Sequence, residues 1–245
     1  MSIQQKNKKQ LNTTDALGEA LLDYLEGINN ENISVISSIS EDDELPLSYL
    51  FRTEEELPII EKKALSLCEG NVLDVGAGSG VHSLILQKRG LNVTSIDTSK
   101  GAVETMKQRG VINPLYKNFF TLKNKKFDTL LFLMNGVGIA QTLDGLTSFL
   151  THCKSLLSEN GQILLDSSDI KYMFEEEDGS ILLDLNGNYY GEVTYQMSYK
   201  NYKTLPFSWL FVDFDTLQNS ASQTGLTCEL IIEGNHFDYL ARITY

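Results

Sequence analysis

One glycine-rich segment, residues 72–90 (VLDVGAGSGVHSLILQKRG), constrains this chain more than any other. The apolar run at 72–75 predicts a buried strand, and apolar residues from Val81 onwards recur at helical spacing until Arg89 and Gly90. Glycine in the turn between them tolerates unusual φ angles and lets a ligand approach bare backbone, while the helix N-terminus offers unpaired N–H groups. The segment therefore predicts a strand–turn–helix cradle for a nucleotide-type ligand.

The composition narrows the possible partners. Of 245 residues, 42% are hydrophobic and 22% are charged, as in a globular chain with a sizeable core. The formal net charge of −13 argues against DNA or RNA as the main partner, because phosphate binding needs clustered lysine and arginine. The basic run Lys6, Lys8 and Lys9 lies in a polar start and predicts a solvated tail, with a nucleic-acid arm as the alternative.

The cysteines and histidines favour a reducing compartment and no bound metal. The three cysteines lie far apart without a CxxC pair, and none of the three histidines has HExxH or HxH spacing. The start is not of signal-peptide type, and no segment approaches the roughly 18 apolar residues of a membrane span. We expect a cytoplasmic protein that binds no membrane.

The residues before the glycine-rich segment predict a mainly helical lid. Residues 14–28 place leucines on one helical face, residues 33–39 fit a strand or a loop, and the acidic run at 41–44 fits a solvated turn. Thr53, with Glu56 three residues later, forms a capping box, which predicts a helix from there to about residue 68.

Alternating strands and helices after residue 70 predict an α/β domain with right-handed parallel crossovers. Strands are predicted at 72–75, 92–96, 111–116, 127–134, 161–166, 226–232 and 237–244, and helices at 81–88, 99–109, 143–157 and 214–224.

The alternation fails at about 168–213, where aromatic residues concentrate and a small β-rich insertion is predicted. Tyr190, Tyr195 and Trp209 are candidates for the wall of a pocket for a flat or cationic acceptor, and the alternative is that the aromatic residues cover one face of a small sheet.

The spacing of the glycines separates two ligand classes. Dinucleotide folds favour GxGxxG, whereas here the third glycine comes one place early. Asp74, before the first glycine, suits a ligand with an ammonium group and a sulfonium rather than a pyrophosphate. Asp97 ends the next strand, where a carboxylate can accept ribose hydroxyls in either class.

The pattern from Asp74 through Gly76, Gly78 and Gly80 to Asp97 resembles the first two motifs of class I S-adenosylmethionine-dependent methyltransferases. The resemblance implies a Rossmann-like three-layer sandwich whose seven-stranded sheet is mostly parallel with an antiparallel last strand. It implies an N-terminal helical or lid segment over 1–70 and an S-adenosylmethionine-binding methyltransferase domain over 71–245. The strings LPLSYLFR, MNGVG and LLDSSD also resemble an uncharacterised bacterial branch of that superfamily.

The resemblance also assigns candidate cofactor contacts. Those near the methionine part are Asp74, Gly76, Ala77, Gly78, Ser79 and Gly80. The ribose contact is Asp97, and the adenine contacts are Thr98, Asn118, which stands where Asp is usual, and Phe119. Residues that lie beside the transferred methyl or close over the cofactor are Met134, Asn135, Tyr49 and Arg52, the last available for the cofactor's carboxylate.

Methyl transfer from a sulfonium is an in-line displacement with a neutral leaving group, so holding the nucleophile in line supplies much of the catalysis. A base is needed only for a protonated acceptor, and Asp166 and His82 are the candidates, with a structural role as the alternative for His82. We expect a small-molecule acceptor, since the chain lacks the (Asp/Asn)-Pro-Pro-(Tyr/Phe) string of DNA amine methyltransferases. The alternatives are a non-catalytic S-adenosylmethionine-binding protein and an NAD-dependent oxidoreductase.

Overall fold

The computed structural model describes residues 15–28, 31–40, 43–184 and 187–245. The predicted basic tail and the first half of the acidic run lie outside the described residues. The helices are α1 (Ala16–Leu25), α2 (Ile59–Leu67), α3 (Val81–Lys88), α4 (Lys100–Gln108), α5 (Leu143–Leu156) and α6 (Phe214–Gln223). The strands are β1 (Ile33–Ser37), β2 (Asp43–Leu45), β3 (Asn71–Val75), β4 (Asn92–Asp97), β5 (Pro114–Tyr116), β6 (Phe127–Phe132), β7 (Leu157–Ser168), β8 (Glu192–Tyr199), β9 (Tyr202–Lys203), β10 (Phe207–Leu210), β11 (Thr227–Glu233) and β12 (Asp238–Thr244).

A seven-stranded sheet in the order β11-β12-β7-β6-β3-β4-β5 forms the centre of the fold. Strands β3 to β7 run parallel to one another. Strand β12 pairs antiparallel with β11, to which a short turn joins it, and it also pairs antiparallel with β7. One core, between the sheet and α5 and α6, contains Phe132 and Phe149, and a second, on the α2 and α3 side, contains Ile60 and Leu86. The predicted Rossmann-like sandwich, mostly parallel and with an antiparallel last strand, is confirmed.

A second sheet joins two distant parts of the chain. Strand β1 pairs antiparallel with β8 on one side and with β2 on the other, and β10 pairs antiparallel with the other side of β8. Tyr195 lies opposite both Ser37 and Phe207, and Val193 lies opposite Trp209, so that the aromatic side chains share one face. The predicted β-rich insertion therefore contributes β8, β9 and β10 to a sheet that also includes the N-terminal strands β1 and β2.

Two boundary predictions are wrong for identifiable reasons. The backbone N–H and hydroxyl of Thr53 both donate to Glu56 Oε2, at 2.7 and 2.9 Å, yet they close only a turn, and α2 begins at Ile59 after Pro58. Proline disfavours the helical conformation of the residue before it, so it ends the turn and then starts the helix. Strand β5 is also shorter than predicted, because Val111 packs beneath the glycine turn rather than pairing in the sheet.

Helix α1 packs directly on α4, beside the glycine turn. A Cβ added at Gly101 would lie 2.4 to 2.6 Å from the backbone of Gly18, so neither helix tolerates a side chain at the crossing. Asp15 caps α1 through the N–H of Gly18 and also accepts the N–H of Gly101, both at 3.0 Å. These contacts fix the N-terminal segment against the cradle.

Candidate functional site

The glycine turn leaves open space above β3. Gly76 and Gly78 have φ angles of +70° and +55°, and a Cβ added at Gly76 would meet no atom within 4 Å. At Gly78 the nearest atom would be the carbonyl oxygen of Gly76, at 4.0 Å. Gly80 has a different role, since its Cβ would lie 2.8 Å from Val111 and it therefore serves packing. Only the first two glycines border space that a ligand can fill.

Asp97 lies at the end of β4 and holds the turn in place. Its Oδ2 accepts the N–H of Gly78 at 2.9 Å, and its Oδ1 accepts the N–H of Ser99 at 2.8 Å. Burial raises the pKa of Asp97, although these two N–H groups act in the opposite direction. The two N–H groups fix the carboxyl group of Asp97 at the strand end, the position predicted for a ribose contact.

Asp74 is turned towards the interior at the base of the turn. Its Oδ2 accepts a hydrogen bond from the Ser83 hydroxyl at 2.6 Å, and that hydroxyl also lies 2.6 Å from Ser95 Oγ. Burial raises the pKa of Asp74, against the charge of His82 and the Ser83 hydrogen bonds. The carboxylate therefore links β3, α3 and β4 beneath the turn.

Three buried charged groups form the Arg52 cluster: Arg52, Glu61 and His82. Arg52 Nη2 lies 3.0 and 3.2 Å from the two carboxylate oxygens of Glu61, and His82 Nε2 lies 2.6 Å from Glu61 Oε2. The Arg52 guanidinium carbon is 3.5 Å from the centre of the Tyr49 ring, and Nη2 is 3.7 Å from Met134 Sδ. Arg52 Nη1 is buried without a hydrogen-bond partner among the described residues, and such a group requires an acceptor.

The Glu61 contact does not support His82 as a general base. Burial alone would lower the pKa of His82, but the hydrogen bond to Glu61 and the charge of Asp74 raise it above its ordinary value. A protonated imidazole that is bonded to a carboxylate has no lone pair for an acceptor's proton. The geometry favours the structural alternative for His82.

The residues after β6 form a strained turn held by Asp166. Met134 and Asn135 have φ angles of +63° and +56°, which are uncommon for residues other than glycine. Asp166 Oδ2 accepts the N–H of Met134 at 3.0 Å, and Oδ1 accepts the N–H of Gly136 at 3.2 Å. Burial raises the pKa of Asp166 to about 7. This carboxyl group can therefore lose or take up a proton near neutral pH.

Asn135 connects the strained turn to its neighbours. Its Nδ2 donates to the Leu210 carbonyl at 3.1 Å, its Oδ1 accepts the Ser167 hydroxyl at 3.0 Å, and its carbonyl accepts Trp209 Nε1–H at 3.1 Å. Its amide is thus used to position β10 and β7, rather than being free for an acceptor.

The predicted adenine contacts have different surroundings. Thr98 is exposed, and Asn118 caps a short 3₁₀ helix through the N–H of Phe120. Phe119 is buried, with its ring edge-on to Phe132 at 5.2 Å, whereas Phe120 is 41% exposed. The placement of Phe119 in the core does not support its predicted contact with adenine, because core packing already occupies the ring.

Three further predicted residues have partners within the protein. Ser79 donates its hydroxyl to the Leu50 carbonyl and accepts a bond from Arg109 at 2.9 Å, while Ala77 is buried against the core on the α4 side. Tyr190 donates to Asp169 at 2.8 Å, so its hydroxyl already has a protein partner.

Sequence reasoning missed Glu61. Ala64 and Leu65, three and four residues later on α2, are both buried, so its position on an apolar stripe was the available signal. A carboxylate on such a stripe requires a partner. The sequence does not say which partner, since Arg52 and His82 belong to other elements.

The open glycine turn, the Asp97 carboxylate and the unpartnered nitrogen of Arg52 fit a nucleoside-containing cofactor with an amino-acid tail. Together with the parallel sheet they define a Rossmann-like cofactor-binding protein. A family model described as a methyltransferase domain matches residues 72–161. A SAM-dependent methyltransferase from Bacteroides fragilis, solved with S-adenosyl-L-homocysteine, is 44% identical, with 94% of each chain covered and a TM-score of 0.88. The chain belongs to the S-adenosylmethionine-dependent methyltransferases, and S-adenosylmethionine is its cofactor.

Two other similar proteins are a solved structure that shares the fold at low identity and a curated relative that matches over a short stretch. The CcbJ methyltransferase of Streptomyces caelestis shares the fold with 14% identity and a TM-score of 0.58, over 79% of this chain and 92% of that one. A 23S rRNA (uracil(747)-C(5))-methyltransferase of Pyrococcus horikoshii is 38% identical over 74 residues, or 29% of this chain and 18% of that relative. The chain thus spans about a fifth of that curated relative's length. Within the described ranges, no helix has the length and apolar character needed to cross a membrane.

Proposed function

We propose that this methyltransferase transfers the methyl group to a small-molecule acceptor bound between the Asp166 turn and the second sheet. One observation carries the proposal: the second sheet presents an aromatic face, with Trp209 bonded to the Asn135 carbonyl beside the turn after β6. Phe207 and Tyr195 lie on the same face, with their ring centres 6.2 Å apart. Aromatic side chains beside a few polar groups are the usual lining of a small-molecule site, which supports a small acceptor.

The cofactor assignments form part of this proposal. Gly76 and Gly78 border the methionine part, and Ala77, Ser79 and Gly80 hold the backbone of the same turn in place through packing and hydrogen bonds. Asp74 supports the turn from the interior. Asp97 binds the ribose hydroxyls, for which its carboxylate at the end of β4 is suited. The residues proposed to contact the adenine are Thr98, Asn118 and the backbone of Phe119.

The amino-acid end of the cofactor is assigned to the N-terminal segment. Arg52 Nη1 needs an acceptor, and a carboxylate supplies one in a strong charge-assisted pair. Tyr49 stacks on the guanidinium and closes the site from the N-terminal side, while Met134 lies against Arg52 from the β6 side. We assign the first of these walls to the predicted lid segment at 1–70 and the second to the predicted methyltransferase domain at 71–245.

The chemistry divides between cofactor and protein. S-adenosylmethionine supplies a methyl group activated by its sulfonium. The chain holds the acceptor in line, and Asp166, when ionised, accepts a proton from an acceptor that is protonated at neutral pH. Asn135 positions the turn that carries Met134 and Gly136.

An RNA acceptor is the competing possibility, because the Pyrococcus horikoshii relative and a second one from Pyrococcus abyssi are both 23S rRNA (uracil(747)-C(5))-methyltransferases. Those matches cover 18% and 22% of the relatives. The net charge of −13 opposes phosphate contacts. We therefore favour a small acceptor and a cytoplasmic protein.

The test is transfer of a radiolabelled methyl group from S-adenosylmethionine to two sets of acceptors under identical conditions. One set is a panel of small amines, alcohols, thiols and carboxylic acids, and the other is total RNA. We expect label only in small molecules, and Trp209→Phe should reduce that labelling through a higher acceptor KM. Labelling of RNA with no product in the small-molecule panel would overturn the proposal.

A further inference from the structure

Glu61 holds together two elements of the cofactor site that are far apart in sequence. It lies on α2 and contacts Arg52, which follows the 3₁₀ helix Leu47–Phe51, and His82, in the first turn of α3. All three side chains are buried, with Glu61 only 3% exposed. A carboxylate placed so deeply between two cations is a built feature rather than a surface ion pair.

The charges explain why Glu61 must be ionised there. Burial by itself raises the pKa of Glu61, but His82 and Arg52 more than compensate and hold it below its ordinary value. Glu61 thus lies between two basic side chains, and the permanently charged guanidinium of Arg52 is the cation of this cluster that can pair with an incoming anion.

The geometry of Arg52 shows which part of that cation is free. Its Nη2 is used by Glu61, and its Nε donates to the Tyr49 carbonyl at 2.6 Å. The Tyr49 ring covers one face of the guanidinium. Only Nη1 has no hydrogen-bond partner in the part of the chain that the structure describes. The guanidinium is thus fixed with a single unused edge.

We propose that Glu61 is a positioning residue for the cofactor, which clamps Arg52 to His82 so that Arg52 Nη1 is presented to the cofactor's α-carboxylate. This inference rests on the proposed assignment of Arg52. Without the clamp, a flexible arginine side chain samples many rotamers, and the carboxylate loses a preorganised partner. Glu61 does not itself touch the cofactor, so it acts only through Arg52.

The experiment compares two ligands by calorimetry. S-adenosylhomocysteine carries the amino-acid tail, and 5′-methylthioadenosine has the same nucleoside and sulfur without that tail. The variants are Arg52→Met, Glu61→Gln and their double variant. Glutamine keeps the size of the side chain, offers Arg52 one oxygen and can donate to a neutral His82, so buried groups keep partners. Glu54→Gln is the matched control, since Glu54 forms an exposed pair with Arg89 at 2.5 Å.

We expect Arg52→Met and Glu61→Gln each to weaken S-adenosylhomocysteine binding about tenfold or more and to leave methylthioadenosine binding within about twofold. The double variant should bind no more weakly than Arg52→Met, because the two residues act through one contact. Glu54→Gln should change neither affinity.

A merely structural role for Glu61 predicts other results. Equal losses for both ligands, or a Glu61→Gln loss that adds fully to that of Arg52→Met, would overturn the inference, as would unchanged affinity for S-adenosylhomocysteine. If the unaltered protein binds both ligands equally tightly, the Arg52 assignment itself fails. If it binds neither ligand, the proposed cofactor site fails.

Discussion

The sharpest test of the cofactor assignment is Asp97→Asn. The two carboxylate oxygens of Asp97 accept the N–H groups of Gly78 and Ser99 at 2.9 and 2.8 Å. Asparagine has one acceptor oxygen, so one of these N–H groups will face an NH₂ group. A buried donor left without its acceptor costs about 1 to 3 kcal/mol. In a chain of this size each 1 kcal/mol lowers the melting temperature by about 2 to 4 °C.

The loss of cofactor affinity has a separate origin. A hydrogen bond to a charged group is worth about 1.5 to 3 kcal/mol. Losing one ribose hydrogen bond of this strength weakens binding by about 10- to 150-fold, since about 1.4 kcal/mol corresponds to a factor of ten. Calorimetric titration with S-adenosylhomocysteine measures this loss, and thermal unfolding measures the change in stability on the same sample.

Asp128→Asn is the matched control. Asp128 accepts the N–H of Asn71 and the hydroxyl of Ser158, both at 2.7 Å, at the amino ends of the central strands, whereas Asp97 lies at a carboxyl end. This variant should lose less stability than Asp97→Asn, because the exposed N–H of Asn71 can bond water instead, and it should keep its cofactor affinity. A similar fall in affinity for both variants, or an unchanged affinity for Asp97→Asn, would refute the ribose assignment.

Three further predictions follow from the site. Because burial raises the pKa of Asp166 to about 7, a rate that depends on its ionised form should rise with pH through about 7, and Asp166→Asn should abolish that rise in kcat. Because the pKa of Asp166 is higher in the folded protein than in the unfolded chain, its bound proton stabilises the fold fully below about pH 4 and no longer does so above about pH 7. Urea unfolding at several pH values should show this loss of stability in the unaltered protein, and Asp166→Asn should lack it. Gly78→Ala and Gly90→Ala, at φ angles of +55° and +86° with nothing closer than 4.0 Å to the new methyl group, should each cost about 1 to 2 kcal/mol in thermal unfolding. Only Gly78→Ala should weaken S-adenosylhomocysteine binding. If the two variants bind S-adenosylhomocysteine equally tightly, the space beside Gly78 is not the cofactor site. Trp209→Phe removes a donor to the Asn135 carbonyl and should raise the acceptor KM while leaving the cofactor dissociation constant unchanged, so a change confined to the cofactor constant would contradict the acceptor wall.

The parallel core could be predicted because its signals are local. Strand β3, the glycine turn and α3 follow one another within 19 residues, and each signal in that stretch depends on its neighbours along the chain. The capping box of Thr53 was also local, but the more restrictive Pro58 decided where α2 begins. The sequence pattern does not tell which of the adjacent residues Phe119 and Phe120 is buried. Phe119 enters the core because it is the one that packs against Phe149 of α5.

The second sheet could not be predicted, because its strands lie far apart in the chain. Val35 pairs with Met197, and no spacing rule connects residues so distant. The Arg52 cluster is similar, since it gathers side chains from the N-terminal segment, α2 and α3. The sequence indicated Arg52 and His82 as separate candidates, and only the folded structure shows that both contact Glu61.

The sequence alone determined the ligand class. The early third glycine and the carboxylates at the ends of β3 and β4 are covalently fixed, and they indicated S-adenosylmethionine before any fold was known. The tertiary structure decided which polar groups are buried together: His82 with Glu61, Asp166 with the turn after β6, and Trp209 with Asn135. The physical reason is that burial and pairing, which set charge states and free edges, depend on residues that only packing brings together.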